Sequence, residues 1–402
     1  MRILYLIHQF FPEHYSGTER FTFELASQMQ RVGHNPTVIT YEPNDVKNFN
    51  KLTDKLLIKR YSYRGIPVIA LRHAVPAEAD GSDIFHPAIE EAAEKLALKC
   101  DLVHVCHPMW MSSVAAAYKK HSIPTVMTLT DAWFLCPSRL LDRWLRLCNG
   151  PEADGGCTTC NIGLKMRPRI EQAKIAYNLP DEISSPSRFI PKIFERNGWS
   201  RSITVIPHGV NYANVKSFRG LGAEEATFGY IGSIAPEKGV HVLVKAVRST
   251  SNPRLKMKIY GSPDGQRDYY ETLLDLAGGD DRIQFMGHFE DEELPEIMSN
   301  LSALVIPSTY YENYPFTMLT GLAYRLPTIA SNIGGMPELI RDGLNGFLFE
   351  MGDYIALANI MERIVRKPAV LNELKANIAT PRRTEEEALD YENIYRRLVD
   401  RR

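Results

Sequence analysis

Short β-branched apolar runs alternate with stretches of helical periodicity along the whole 402-residue chain. In the first half the runs fall at 3–7, 37–40, 68–70, 102–105, 125–129 and 203–206. In the second half they fall at 227–231, 256–260, 283–286, 303–306, 328–330 and 346–349. Unbroken apolar strands separated by helices are what parallel sheets covered on both faces require, so the class is α/β. Between the first two runs the pattern predicts a helix over 19–32, with Phe21, Leu25 and Met29 on one face and Gly33 at the cap. A weak internal echo runs through the two halves. The segments 101–108 (DLVHVCHP) and 123–128 (IPTVMT) are matched, at almost the same interval, by 302–308 (SALVIPS) and 326–331 (LPTIAS). Two doubly wound domains follow, over 1–210 (with an insertion at about 136–170) and 211–383. A terminal helix over 384–402 places Leu389, Ile394 and Leu398 on one side and Arg396, Arg397, Arg401 and Arg402 in its last turns, where the dipole favours cations.

Composition narrows the partners. With 47 Lys+Arg against 48 Asp+Glu the net charge is -1, so there is no global field for nucleic acid and an anionic ligand needs a local site. The 44% hydrophobic content excludes a disordered chain. No apolar run reaches the roughly 18 residues of a membrane span, and the opening run is too short for a signal peptide. With cysteines expected to be reduced, a cytoplasmic location follows.

Three junctions carry candidate chemistry. Gly17 stands at the entrance of the first helix, where backbone N–H groups can approach a phosphate. The segment 230–240 (YIGSIAPEKGV) leaves a strand and opens a helix, with Gly232 and Gly239 permitting tight turns around Ser233. Lys238 sits at that helix start, where the dipole disfavours a cation, so an anionic ligand explains it better than helix stability does. The P-loop spacing is absent. The segment 307–316 (PSTYYENYPF) follows a strand at its carboxyl end, where open α/β sheets bind ligands. Glu312 and Asn313 can bond vicinal hydroxyls, and Tyr314, Pro315 and Phe316 offer apolar faces to a sugar ring. A further glycine turn at 331–339 reads as structural.

The insertion is read separately. Cys136, Cys148, Cys157 and Cys160 lie within 25 residues, and Cys157 and Cys160 form a Cys-x2-Cys knuckle. A structural zinc site, reduced unpaired thiols and a redox pair all fit this spacing. Between 138 and 174 there are seven basic and four acidic residues. There, 139–147 is predicted as an amphipathic helix with Leu140, Leu141, Trp144 and Leu145 opposite Arg139, Arg143 and Arg146. Such a helix suits either peripheral contact with the inner face of a membrane or packing over the first domain.

These motifs, with 17–20 (GTER), 184–187 (SSPS), 205–211 (VIPHGVN), Tyr260-Gly261 and 285–288 (FMGH), resemble the retaining glycosyltransferase family 4. The loop at 307–315 is the most specific of them. The resemblance implies a GT-B fold, two Rossmann-like domains facing a central cleft, with the terminal helix returning to the first domain. It implies a nucleotide-diphosphate sugar (UDP- or GDP-linked) with its base near Gly261, Met286 and Gly287. The diphosphate falls near Gly17, Gly232, Ser233 and Lys238, and the sugar near Glu312 to Phe316. Acceptor groups fall at His107 and Asp131, the acceptor being a saccharide or lipid-linked saccharide in polysaccharide assembly. Glu312, Lys238 and Asp131 are then the catalytic set. The cysteine spacing also resembles that of a subset of the family. Because no Asp-x-Asp occurs in the chain, no cofactor is expected for catalysis, and a structural zinc is the sole metal considered. The chain departs from the family at Thr320, where a second motif glutamate belongs, at Thr130, where a histidine precedes the aspartate, and at Ser233, where an arginine assists the lysine. A GT-B nucleotide-sugar epimerase and a sugar-nucleotide-binding protein without turnover are the alternatives.

Overall fold

A computed structural model of the chain describes residues 1–44, 47–75, 82–138, 140–141, 146–151, 157, 166–212, 226–263 and 265–401. It resolves into two compact units, the first drawn from 1–143, 148–208 and 384–402 and the second chiefly from 209–383.

The first unit is built on β1 (Arg2–Ile7), β2 (Asn35–Tyr41), β3 (Asn50–Lys51), β4 (Leu56–Tyr63), β5 (Ile66–His73), β6 (Leu102–Val105), β7 (Thr125–Thr128), β8 (Glu182–Ser185) and β9 (Thr204–Val205). Their order is β3-β4-β5-β2-β1-β6-β7-β8-β9. β1 pairs parallel to β2 on one side and to β6 on the other, so the winding reverses between β1 and β6. β4 is absent from the sequence expectation. It pairs antiparallel with β5 through the two-residue turn Arg64-Gly65, both at positive φ (46° and 87°), the conformation that matches the twist of a tight hairpin.

The helix Gly17–Arg31 starts two residues before its predicted beginning, because Ser16 caps it reciprocally with Glu19. Phe21, Leu25 and Met29 are buried as the periodicity requires, and Gly33 turns the chain at φ 88°. The terminal helix Thr384–Val399 packs in the first unit. Its buried stripe is Ala388, Tyr391, Ile394, Tyr395 and Leu398, whereas Leu389 is exposed, contrary to the sequence reading. The i, i+3, i+7, i+10 row carries two tyrosines, and these face the sheet because their hydroxyls find partners there. Tyr391 Oη bonds Thr128 Oγ1 at 2.9 Å and Ser184 Oγ at 3.1 Å. Tyr395 Oη meets His104 Nδ1, and His104 Nε2 bonds Thr128 Oγ1 at 2.7 Å.

The second unit has β10 (Ala226–Ile231), β11 (Leu255–Tyr260), β12 (Ile283–Gly287), β13 (Ala303–Ile306), β14 (Thr328–Ser331) and β15 (Gly346–Phe349). All pair in parallel, in the order β12-β11-β10-β13-β14-β15, so this sheet reverses between β10 and β13. Phe228, Met257, Ile259, Val305 and Leu357 fill one face, and Leu304, Met318, Leu322 and Met336 the other. The echo in the sequence occupies one place in both sheets. β6 with β7, and β13 with β14, are the two strands just past each reversal.

One expectation fails in the insertion. Leu140, Leu141, Arg146 and Leu147 are not helical, Leu140 has φ 59°, and both leucines at 140–141 are buried. A residue in the left-handed region breaks a right-handed helix at that point. Arg139, Arg143, Trp144 and Leu145 lie outside the described residues.

Candidate active site

The switch point of the second sheet gathers most of the sequence-derived donor residues. After β10 the chain makes the short turn Pro236–Lys238, closed by Gly239 at φ 73°, and enters the helix Val240–Arg248. After β13 it runs through the loop at 307–315 into the helix Phe316–Ala323. The two loops touch backbone to backbone. Thr309 N–H donates to Glu237 O at 2.8 Å, and a Cβ on Gly239 would stand 1.9 Å from Pro307 O. Gly239 is therefore required twice, by its left-handed φ and by this approach.

That closeness sets the charged pair. Lys238 Nζ donates to Glu312 Oε1 at 2.8 Å and to Tyr310 Oη at 2.7 Å, and Ser308 Oγ donates to the same carboxylate oxygen at 3.0 Å. The side chains are 26% and 12% exposed for Lys238 and Glu312, so the pair is open to a ligand from one side and shielded on the others. Burial works against the Lys238 cation, but Glu312 beside it outweighs that cost and holds the ammonium well above the ordinary lysine value. The turn after β14 supports the acid from behind. Gly335 N–H donates to Glu312 O at 2.8 Å, and a Cβ on Gly334 would lie 2.2 Å from that oxygen.

Around the pair, Gly232 N–H donates to Tyr260 O at 3.1 Å and Gly261 N–H to Gly287 O at 2.8 Å. A Cβ on Gly261 would meet Gly232 O at 1.9 Å, so the chain ends of β10, β11 and β12 form a low glycine shelf, with Met286 exposed next to Gly287. Ser233 contributes its carbonyl to Tyr230 Oη at 2.7 Å. Asn313 is buried, and Tyr314, Pro315 and Phe316 are half-buried. Thr320 is buried and its hydroxyl donates to Phe316 O at 2.9 Å, so that proton is spent within the helix. Ser308 and Tyr310, both contacts of the pair, were missed in the sequence reading. Their signal was only adjacency to Glu312.

In the first unit His8, His107 and Asp131 follow β1, β6 and β7, again at the reversal of winding. His107 Nδ1 accepts Met109 N–H at 3.3 Å, so the ring proton lies on Nε2 and points to Asp131 Oδ2, 3.3 Å away. Trp133 N–H donates to the other carboxylate oxygen at 2.9 Å. Burial opposes ionisation of Asp131, but His107 and this N–H prevail and hold the carboxyl down at about 2. The side chain is 37% exposed, enough to receive a hydroxyl. His8, unmentioned by any motif, lies with its ring centroid 4.0 Å from that of His107, and burial drives its pKa well below the ordinary value. Arg169 secures the loop beneath, donating to Trp133 O at 2.6 Å and Phe134 O at 2.8 Å. Gly17 lies in this unit at a helix start already occupied by the buried Glu19 carboxylate, which accepts Ser16 N–H at 3.0 Å.

With its carboxyl near 2, Asp131 is ionised throughout the working range. Its folded value is depressed, so its contribution to stability is complete above about pH 4 and fades only as pH falls through about 2. The expected pH profile of kcat/KM therefore has no acid limb from Asp131 above pH 4. Asp131→Asn is expected to lower transfer roughly 10–100-fold at all pH values while leaving nucleotide affinity unchanged. A lost acid limb in that variant would contradict the assignment.

Among the described residues no group of three His, Cys, Asp or Glu able to hold a metal occurs. Cys160 lies outside them.

Two doubly wound α/β units, each with polar loops at its switch point, define the GT-B glycosyltransferase architecture. Comparison with known proteins agrees. The family model "Glycosyltransferase Family 4" matches residues 15–214 and "Glycosyl transferases group 1" matches 214–380. The chain belongs to the family 4-like glycosyltransferases of GT-B fold. It is 24% identical over 366 residues to an uncharacterized glycosyltransferase of Methanocaldococcus jannaschii, covering 86% of this chain and 84% of that protein. It is 27% identical over 165 residues to the D-inositol 3-phosphate glycosyltransferase of Mycolicibacterium smegmatis, covering 40% and 37%. Among solved structures, sucrose-phosphate synthase from Thermosynechococcus elongatus superposes with a TM-score of 0.73 at 18% identity, covering all of both chains. Anabaena HepE in complex with UDP and glucose gives 0.71 at 18% identity, over 98% of both. Among the described residues no helix is long and apolar enough to cross a membrane.

Proposed function

We propose that the protein transfers a sugar from a UDP- or GDP-sugar to a saccharide or lipid-linked saccharide acceptor, with retention at the anomeric carbon and no catalytic metal. The observation that carries this reading is the Lys238–Glu312 pair, a cation and a carboxylate 2.8 Å apart at the switch point of the second sheet. Lys238 balances the charge that develops on the departing diphosphate, a task that a metal serves in transferases holding an Asp-x-Asp. Glu312 and Asn313 hold sugar hydroxyls, and the shelf of Gly232, Gly261 and Gly287 admits the nucleoside closely. Asp131 orients the acceptor hydroxyl. Its depressed pKa makes it a poor base, so the proton passes to the donor phosphate oxygen as that oxygen leaves. The complexes of Anabaena HepE with UDP and with UDP-glucose support a nucleotide-sugar donor.

Nucleotide release from a panel of UDP- and GDP-sugars, with and without acceptor mixtures, tests the proposal. Release that depends on acceptor is expected, abolished by Glu312→Ala with the melting curve intact. Thermal stabilisation by nucleotides without turnover would identify a binding protein instead, and full activity of Glu312→Ala would remove that residue from the site.

A further inference from the structure

Lys238 has three N–H bonds, and the described structure uses two of them, one on Glu312 at 2.8 Å and one on Tyr310 at 2.7 Å. The two partners differ in kind. Glu312 cancels the charge it orients, whereas a phenol orients the ammonium and leaves its charge available. Tyr310 also offers its ring, whose centroid lies 4.8 Å from Nζ. The Glu312 carboxylate also acts on the phenol electrostatically. The ammonium is thus held between two oxygens, the Glu312 carboxylate and the Tyr310 hydroxyl, both of which accept from it. Burial and the neighbouring carboxylate push Tyr310 up to about 12, so it keeps its proton throughout the working range. Its backbone is fixed as well, since the preceding residue, Thr309, is bonded to Glu237 next to Lys238.

From this geometry we infer that Tyr310 is the positioning residue of the donor site. It holds the Lys238 ammonium on the diphosphate once Glu312 turns to the sugar hydroxyls, leaving the third N–H to the phosphate. The inference rests on the donor reading above and adds to it a residue that touches no substrate. It accounts for a half-buried tyrosine beside a lysine, where a phenylalanine would pack as well and leave one ammonium N–H without a partner.

Tyr310→Phe keeps the half-buried ring in place, so the fold is preserved. With whichever UDP- or GDP-sugar the panel selects, kcat is expected to fall about tenfold. The Kd for UDP or GDP is expected to move less than about twofold, because the cation remains. In the Lys238→Ala background the same substitution should have no further effect, since Tyr310 acts only through Lys238. Unchanged kcat, or a loss that multiplies with that of Lys238→Ala, overturns the positioning role. A wild type that binds neither UDP nor GDP overturns the donor reading along with it. Turnover and binding with a silent Tyr310→Phe overturn only the role of Tyr310.

Discussion

Lys238→Ala is expected to lower kcat by roughly 10²–10³-fold, the usual cost of removing one preorganised group that meets developing charge. The size follows from the site. The ammonium is largely buried and held by Glu312 and Tyr310 at 2.8 and 2.7 Å, so it pays little reorganisation when the diphosphate departs. Arginine is not expected to rescue it, because the planar guanidinium cannot occupy the compact geometry between Glu312 and Tyr310. The variant also leaves the Glu312 carboxylate, 12% exposed and still bonded by Ser308, without its cation, so a repelled donor phosphate raises the nucleotide Kd as well. Steady-state kinetics with the selected donor measure both. A kcat within threefold of wild type would remove Lys238 from the chemistry.

Gly239→Ala is expected to be among the most damaging single methyls in the second unit. The added Cβ would stand 1.9 Å from Pro307 O, and the residue holds φ 73°, which L side chains rarely adopt. The left-handed backbone alone costs roughly 1–2 kcal/mol. Driving the two loops apart raises the total to about 3 kcal/mol or more, or a fall in Tm of roughly 6–12 °C for a unit of this size. Because the same loops carry Lys238 and Glu312, activity is expected to fall further than stability. Gly343→Ala is the control. That glycine also has positive φ, 71°, but nothing stands within 4 Å of its Cβ, so only the backbone term applies. Equal melting temperatures for the two variants would show that the contact with Pro307 is not tight.

The parallel architecture was legible because buried strands of such sheets are continuous apolar runs, and those from Ile3 to Phe349 needed no tertiary information. β4 was missed because its place next to the edge, beside the two-residue β3, leaves it half polar. Its one strong signal was the Arg64-Gly65 turn, which is ambiguous until a partner strand is known. Leu389 was assigned to the wrong face because hydrophobicity alone outranks tyrosine. The tyrosines at 391 and 395 win since Thr128, Ser184 and His104 satisfy their hydroxyls within the sheet. In the site, Lys238 and Glu312 stood out by residue type at strand ends, while Tyr310 and Ser308 gained meaning only from distances. His8 and Arg169 likewise carry no local pattern, since their neighbours come from strands and helices far along the chain. The helix predicted over 139–147 shows the opposite error at its described residues 140–141 and 146–147, periodicity without helical backbone, with Leu140 left-handed and buried.

The central claim is that a nucleoside diphosphate is held by Lys238 at the switch point of the second sheet. Isothermal titration of UDP and of GDP into wild type and Lys238→Ala, at one ionic strength, tests it most directly. The account predicts that at least one of the two binds the wild type and binds the variant at least tenfold more weakly, with both proteins folded. Equal affinity in the two proteins would contradict it.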